Sequence, residues 1–242
     1  MKPLTTSIYT FEKLRDEGFL YVDKTAMIYE LIARTGQFFL SRPRRFGKSL
    51  LVSTLKAIFQ GRRELFEGLA LAAKDYDWQT YPVIQLDMGT SVAASATGTA
   101  TAIRELVDEQ AATHGIELKN ATVASRFREL IRCLSERGKV VILIDEYDKP
   151  LLGHLGQESA REVQCVLKQF YSVVKATEAQ QRFVLLTGVS KFSKVSVFSD
   201  LNNLTDLTMS NQAATLLGYT QEEVEANFPD YIERLAAAQE MT

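Results

Sequence analysis

The 242-residue chain holds only two cysteines, Cys133 and Cys165, and two histidines, His114 and His154. Two cysteines are too few for a disulfide framework. Both fall inside apolar helical patterns, so they are expected as buried thiols in a reducing compartment, which points to the cytoplasm. Neither histidine has a cysteine or carboxylate partner at ligand spacing, so a zinc site is rejected and both are read as surface or loop residues. No apolar run approaches the roughly 20 residues of a membrane span, and residues 1–18 lack the apolar core of a signal peptide. Excess charge is also lacking. The formal net charge is -2, which gives no reason to expect nucleic acid or an anionic membrane as a partner. There is no internal repeat. What remains is ordinary for a globular protein: 46% hydrophobic and 24% charged residues, enough for one large domain or one domain with a small appendage.

The stretch QFFLSRPRRFGKSL, residues 37–50, stands out against that background. It reads as a short apolar strand (Phe38, Phe39, Leu40), a tight basic loop and a helix start. Gly47, Lys48 and Ser49 match the end of the phosphate-binding pattern G-x-x-x-x-G-K-[ST]. Unpaired N–H groups at a helix start carry partial positive charge and cradle phosphate oxygens. Lys48 would reach the β- and γ-phosphates, and the Ser49 hydroxyl would ligate Mg²⁺. Gly47 has no Cβ to keep the backbone away from the phosphates. The first glycine of the pattern is replaced by Arg42, and Pro43 has no N–H to give. The donors from Arg45 through Phe46, Gly47, Lys48 and Ser49 to Leu50 are intact, and Arg42, Arg44 and Arg45 add positive charge. Alone, Gly-Lys-Ser could be a chance tripeptide in a basic turn, so the rest of the chain has to decide.

A second stretch supplies the other half. Residues 140–144 are a continuous apolar run, as expected for a central parallel strand covered on both faces, and it ends in Asp145 and Glu146. A carboxylate at such a strand tip holds Mg²⁺, and the glutamate after it can orient and deprotonate an attacking water. Strand alternation is expected to turn the two acids to different sides. The plainer reading is a buried strand that ends in a solvated acidic turn.

Other elements follow from periodicity and stop signals. A short helix is expected around Phe11 and Leu14 with a turn at Gly18. A second helix carries Ile28, Leu31 and Ile32, with Asp23 or Thr25 as cap and Gly36 as its end. This N-terminal segment, 1–36, either lines the adenine pocket or packs across the sheet edge, and the sequence favours packing. A helix from Leu50 to Phe59 closes at Gly61. Residues 62–80 read as a connector with a short helix, residues 82–87 as a buried strand, and 89–102 as a loop running into a helix. Further helices are expected over 101–114, 121–137 and 162–177, then a buried strand over 183–188. If that strand lies between the phosphate-loop strand and the acidic strand, Thr187, Ser190 or Lys191 could face the γ-phosphate. A last strand is expected over 204–209, and Thr220 with Glu223 forms a capping box.

Taken in order, residues 21–25 (YVDKT), 42–49 (RPRRFGKS), 143–148 (LIDEYD) with Pro150, 186–188 (LTG), and Phe198-Ser199 with 201–204 (LNNL) resemble the bacterial AAA-ATPase-like family of predicted ATPases. The ordered match runs over about residues 5–232. In that family an arginine at the first glycine position is usual. The resemblance implies an ATP-binding P-loop domain. Larger members continue into a helical region and a PD-(D/E)xK nuclease-like domain, and the sequence is expected to stop before either.

The expected fold is therefore α/β, a three-layer P-loop NTPase fold with a mostly parallel central sheet. Residues 1–210 would form the ATPase-like domain, and 211–242 the start of a truncated C-terminal helical region. Expected ligands are ATP or ADP and Mg²⁺, with Ser49 and Asp145 on the metal and Glu146, Lys48, Asp145 and Lys191 in catalysis. A protein partner or a second copy of the chain is the expected macromolecular contact. The alternative is a nucleotide-dependent switch with negligible hydrolysis. A small-molecule kinase is disfavoured, because residues 189–215 contain no arginine for a lid. Arg182 is a weak candidate for an arginine finger, and a partner subunit could supply one instead.

Overall fold

A computed structural model describes residues 1–190 and 204–240. Its centre is a sheet of five parallel strands in the order β2-β3-β4-β1-β5. These are β1 (Gly36–Ser41), β2 (Val83–Asp87), β3 (Val140–Asp145), β4 (Gln181–Gly188) and β5 (Thr205–Asp206). The register Phe38–Leu185 and Leu143–Leu185 puts β4 between the loop strand and the acidic strand, as the sequence reading required.

Alternation along the strands divides the core into two layers. Val140, Ile142 and Ile144 of β3 join Val184 and Leu186 of β4 on one face. Val141 and Leu143 join Phe183 and Leu185 on the other. All are fully buried, at about 1.5–3 kcal/mol of transfer free energy per large side chain. The first face is covered by α4 (Ala96–Thr113), α5 (Val123–Ser135) and α7 (Ala160–Ala176), with Phe127 stacked on Phe170 at 4.6 Å. The second is covered by α1 (Phe11–Asp16), α2 (Thr25–Ile32) and α3 (Lys48–Phe59). Helices on both faces of a parallel sheet make the three layers.

Several local expectations need correction. Gly36 does not end α2, which stops at Ile32; it opens β1 instead. The weakly polar stretch after residue 95 is already helical, because the Ser95 hydroxyl accepts the Gly98 N–H and caps α4. The connector at 62–80 contains two 3₁₀ turns, Arg63–Phe66 and Ala70–Ala73, in place of one helix. The last strand shrinks to the two residues of β5. Lys149–Leu152 forms a one-turn helix, α6, that periodicity did not signal. Cys165 is exposed and Cys133 half-buried, and both are free thiols, so neither is the sealed thiol expected. His154 is buried, with its Nδ1 bonded to the Ser159 hydroxyl at 2.8 Å. It is a loop residue, as expected, but it lies inside and not at the surface. Leu204 is described, whereas the expected motif residues Phe198, Ser199, Leu201, Asn202 and Asn203 lie outside the described residues.

The YVDKT segment packs. Asp23 Oδ1 accepts from the Thr25 N–H at 2.8 Å and from its hydroxyl at 2.6 Å, while Oδ2 accepts the Ala70 N–H at 2.7 Å. Thr25 Oγ1 in turn accepts the Leu71 N–H. Asp23 thus fastens the start of α2 to the connector. Asp23→Ala should lower the urea midpoint by the equivalent of about 1–2 kcal/mol with an unchanged m-value. An unchanged midpoint would refute that role. Beyond β5, Ala213 and Leu216 enter the α3-side core, followed by α8 (Gln221–Asn227) and α9 (Pro229–Glu240). Thr220 and Glu223 form the expected capping box on α8, and Lys24 pairs with Glu223.

Candidate functional site

All five strands are parallel, so the loops after β1, β3 and β4 leave the same edge of the sheet. With neighbouring strands about 4.8 Å apart, β1 and β3 are separated by about 10 Å.

The loop after β1 is shaped by two left-handed residues, Arg45 at φ 66° and Gly47 at φ 92°. Alternation of this kind turns successive N–H groups toward one concavity. The first bond of α3 runs from the Leu51 N–H to the Gly47 carbonyl, so the N–H groups of Lys48, Ser49 and Leu50 precede the helical ladder. Lys48 is buried, and its Nζ donates to the Arg42 and Pro43 carbonyls at 3.0 Å each. Burial pushes the Lys48 ammonium below its ordinary pKa, while the charges of Asp145, Glu146 and Asp148 push it up. Arg42 is used differently from expectation. Its guanidinium donates to the Ser41, Thr208 and Ala213 carbonyls and ties the loop to the segment after β5. Arg44, Arg45 and Phe46 are exposed on the loop. Leu217 and Gly218 lie against Gly47 and the Phe46 ring.

Asp145 ends β3 and is buried. Its Oδ1 accepts the Glu146 N–H at 2.9 Å and the Thr187 hydroxyl. Glu146 has φ 50°, a conformation that costs a non-glycine residue about 1 kcal/mol or more. The two acids diverge because the backbone changes hand at Glu146, a sharper cause than strand alternation. The Glu146 carboxylate reaches toward β2, where Oε2 lies 2.9 Å from the position a Gly89 Cβ would take. Lys149 Nζ stands 3.6 Å from the same oxygen.

Sequence reasoning missed Asp87, Gly89 and Lys149. Asp87 pairs with Asp145 in register at the tip of β2, on the same face. The signal was present, since both are mostly apolar strands ending in aspartate, though Gln85 interrupts the first. Ser49, Asp87 and Asp145 line one cavity of about 180 Å³, together with Tyr9, Thr10 and Glu12 of the N-terminal segment. Among the three candidates at the end of β4 and beyond it, the Thr187 hydroxyl is bonded to Asp145 and that of Ser190 to Asp148, while Lys191 lies outside the described residues. Arg182 is no finger in cis. It sits at the start of β4, roughly 20 Å from the strand's far end, donates to the Ile32 carbonyl and stacks on Phe59 and Tyr81.

The donor set fits a metal-bound polyphosphate. It offers a desolvated ammonium held by two main-chain carbonyls, a row of helix-start N–H groups, and a hydroxyl sharing a cavity with carboxylates. Among the described residues no group of three or more metal-ligating side chains forms a closed site. Mg²⁺ in phosphate chemistry leans on one or two carboxylates and the phosphates themselves. No helix among the described residues is long and apolar enough to cross a membrane.

The model of a family described as predicted AAA-ATPases, AAA-ATPase-like, matches residues 5–198. An uncharacterized protein in the vnfD 5′ region of Azotobacter chroococcum mcd 1 is 43% identical over 232 residues, which cover 94% of this chain and 45% of that protein. The chain therefore spans less than half the length of this relative. Among solved structures, a chain in the structure of Drosophila ORC bound to poly(dA/dT) DNA and Cdc6 aligns at 12% identity and a TM-score of 0.46, covering 90% of this chain and 34% of that one.

Proposed function

Since this chain belongs to the predicted AAA-ATPase-like family, we propose that its nucleotide-binding domain takes ATP with Mg²⁺ and hydrolyses it slowly. The observation that carries this reading is the shared cavity of Ser49, from the loop after β1, and Asp145, from the tip of β3. In the reading, Lys48 and the N–H groups of residues 45–50 hold the phosphates. Ser49 and Asp145 hold the metal, with Asp87 beside them. The metal would neutralise charge on the phosphate oxygens when bound. Glu146 orients and deprotonates the attacking water, and positioning with charge neutralisation does most of the work. In this reading residues 1–210 make up the nucleotide-binding unit, and the segment after them first packs Ala213 and Leu216 back into the α3-side core before α8 and α9 begin.

The decisive measurement is an ATP titration with and without Mg²⁺. Wild type should bind more tightly with the metal, and Lys48→Ala should weaken binding tenfold or more. Equal affinities for the two proteins would end the reading.

A second reading, a switch with negligible hydrolysis that controls a protein partner, draws support from Glu146. Its Oε2 lies 3.6 Å from the Lys149 ammonium, so a water approaching that oxygen shares it with a cation. Phosphate release no faster than in Lys48→Ala would favour the switch.

A further inference from the structure

The turn after β3 carries two buried side chains that this chemistry does not use, Tyr147 and Asp148. Asp148 Oδ2 accepts three hydrogen bonds from the exit of β4: the Val189 N–H at 3.1 Å, the Ser190 N–H at 2.9 Å and the Ser190 hydroxyl at 2.6 Å. Tyr147 adds two more to the same segment. Its main-chain N–H donates to the Thr187 carbonyl at 2.9 Å, and its phenol donates to the Ser190 carbonyl at 2.7 Å. The Tyr147 carbonyl accepts from Tyr171 of α7, which anchors the turn from behind.

The strand register stops at Ser41–Gly188 on one side of β4 and at Ile144–Leu186 on the other. Residues 189 and 190 therefore take their direction from Asp148, because the sheet no longer guides them. Hydrogen bonds to a charged acceptor are the stronger class, and a carboxylate out of water keeps its place only when its oxygens are supplied with donors. The turn that bears Glu146 and the strand exit nearest the metal carboxylate are thus one hydrogen-bonded body. The Thr187 hydroxyl on Asp145 closes the set.

We propose that Asp148 is a positioning residue that locks the β4 exit, Thr187 to Ser190, to the turn carrying Glu146, so that the two answer to the nucleotide together. The proposal rests on the ATP-binding reading above. Its physical basis is that a misplacement of about 1 Å at a reacting centre can cost on the order of 100-fold in rate.

The test uses Asp148→Asn, which keeps one carbonyl oxygen for the three donors, and Asp148→Ala, which keeps none. Three quantities are measured in each: ATP affinity, phosphate-release kcat and KM, and amide exchange at 189 and 190 with ATP and with ADP. Asp148→Asn should hold ATP affinity within about threefold and the thermal midpoint close to wild type. It should lose about tenfold in kcat and lose protection at 189 and 190; Asp148→Ala should lose more. If wild type binds ATP without turnover, the exchange difference between ATP and ADP at 187–190 should vanish in Asp148→Asn. A wild-type kcat with wild-type exchange in Asp148→Asn overturns the inference and leaves ATP binding standing. So does a parallel fall of affinity, kcat and thermal stability, the mark of a purely structural group. Failure of wild type to bind ATP removes the reading and this inference together, and the titration shows it first.

Discussion

Glu146→Gln should bind ATP about as well as wild type and release phosphate roughly 100- to 10,000-fold more slowly, the usual range for loss of a general base. Glutamine has the same shape, and at Lys149 it gives up only a partly exposed ion pair at 3.6 Å, so the turn geometry at φ 50° has no reason to change. What disappears is the capacity to take a proton. The side chain reaches toward β2, where a Gly89 Cβ would lie 2.9 Å from both Glu146 Oε2 and Asp87 Oδ1. That position suits a group acting on water beside the metal better than one acting on the phosphates themselves. Steady-state phosphate release and an ATP titration on the same preparation make the check. Unchanged turnover with intact binding would remove Glu146 from the mechanism, while a joint loss of binding and turnover would mean that it helps hold the nucleotide.

Gly188→Ala should be the most damaging single-methyl change in the molecule. A Cβ at that position would lie 2.4 and 2.5 Å from two ring carbons of Tyr147 and 2.8 Å from Asp148 Oδ1. The ring cannot swing aside, because its hydroxyl is held by Ser190 and the residue is buried against Phe39 and Tyr171. The cost is steric and does not come from backbone conformation. Overpacking of this kind costs about 3 kcal/mol, or a fall in thermal midpoint of roughly 6–12 °C for a chain of this size. Calorimetry would measure it. The double variant Gly188→Ala with Tyr147→Ala should cost less than the sum of the singles, because the two groups compete for one volume. Strict additivity would show that the methyl is accommodated elsewhere.

Much of the local structure around the candidate site was readable in advance, and the reason is local. Phe38, Phe39 and Leu40 before Gly47-Lys48-Ser49, and residues 140–144 before Asp145, are patterns whose meaning depends on near neighbours: a period of two, a missing Cβ, a helix start. The β4 strand was legible for the same reason. Misreadings occurred where the deciding partner is remote. Arg42 looked like a phosphate contact until the Thr208 and Ala213 carbonyls were found around it. His154 carried no sign of burial. Asp148 lay inside a quoted motif with no role, because its three donors sit more than forty residues away along the chain.

The amino-acid sequence by itself determined the main strands and helices, the Gly-Lys-Ser loop at a helix start and the pair of acids at a buried strand tip, since these follow from spacing along one stretch of backbone. Only the tertiary structure decided that β4 lies between β1 and β3, that Asp87 joins Ser49 and Asp145 around one cavity, and that Asp148 binds the two exits together. Strand order and side-chain partnerships arise from packing two apolar layers against a sheet, and no local period encodes which distant residue the packing will bring near.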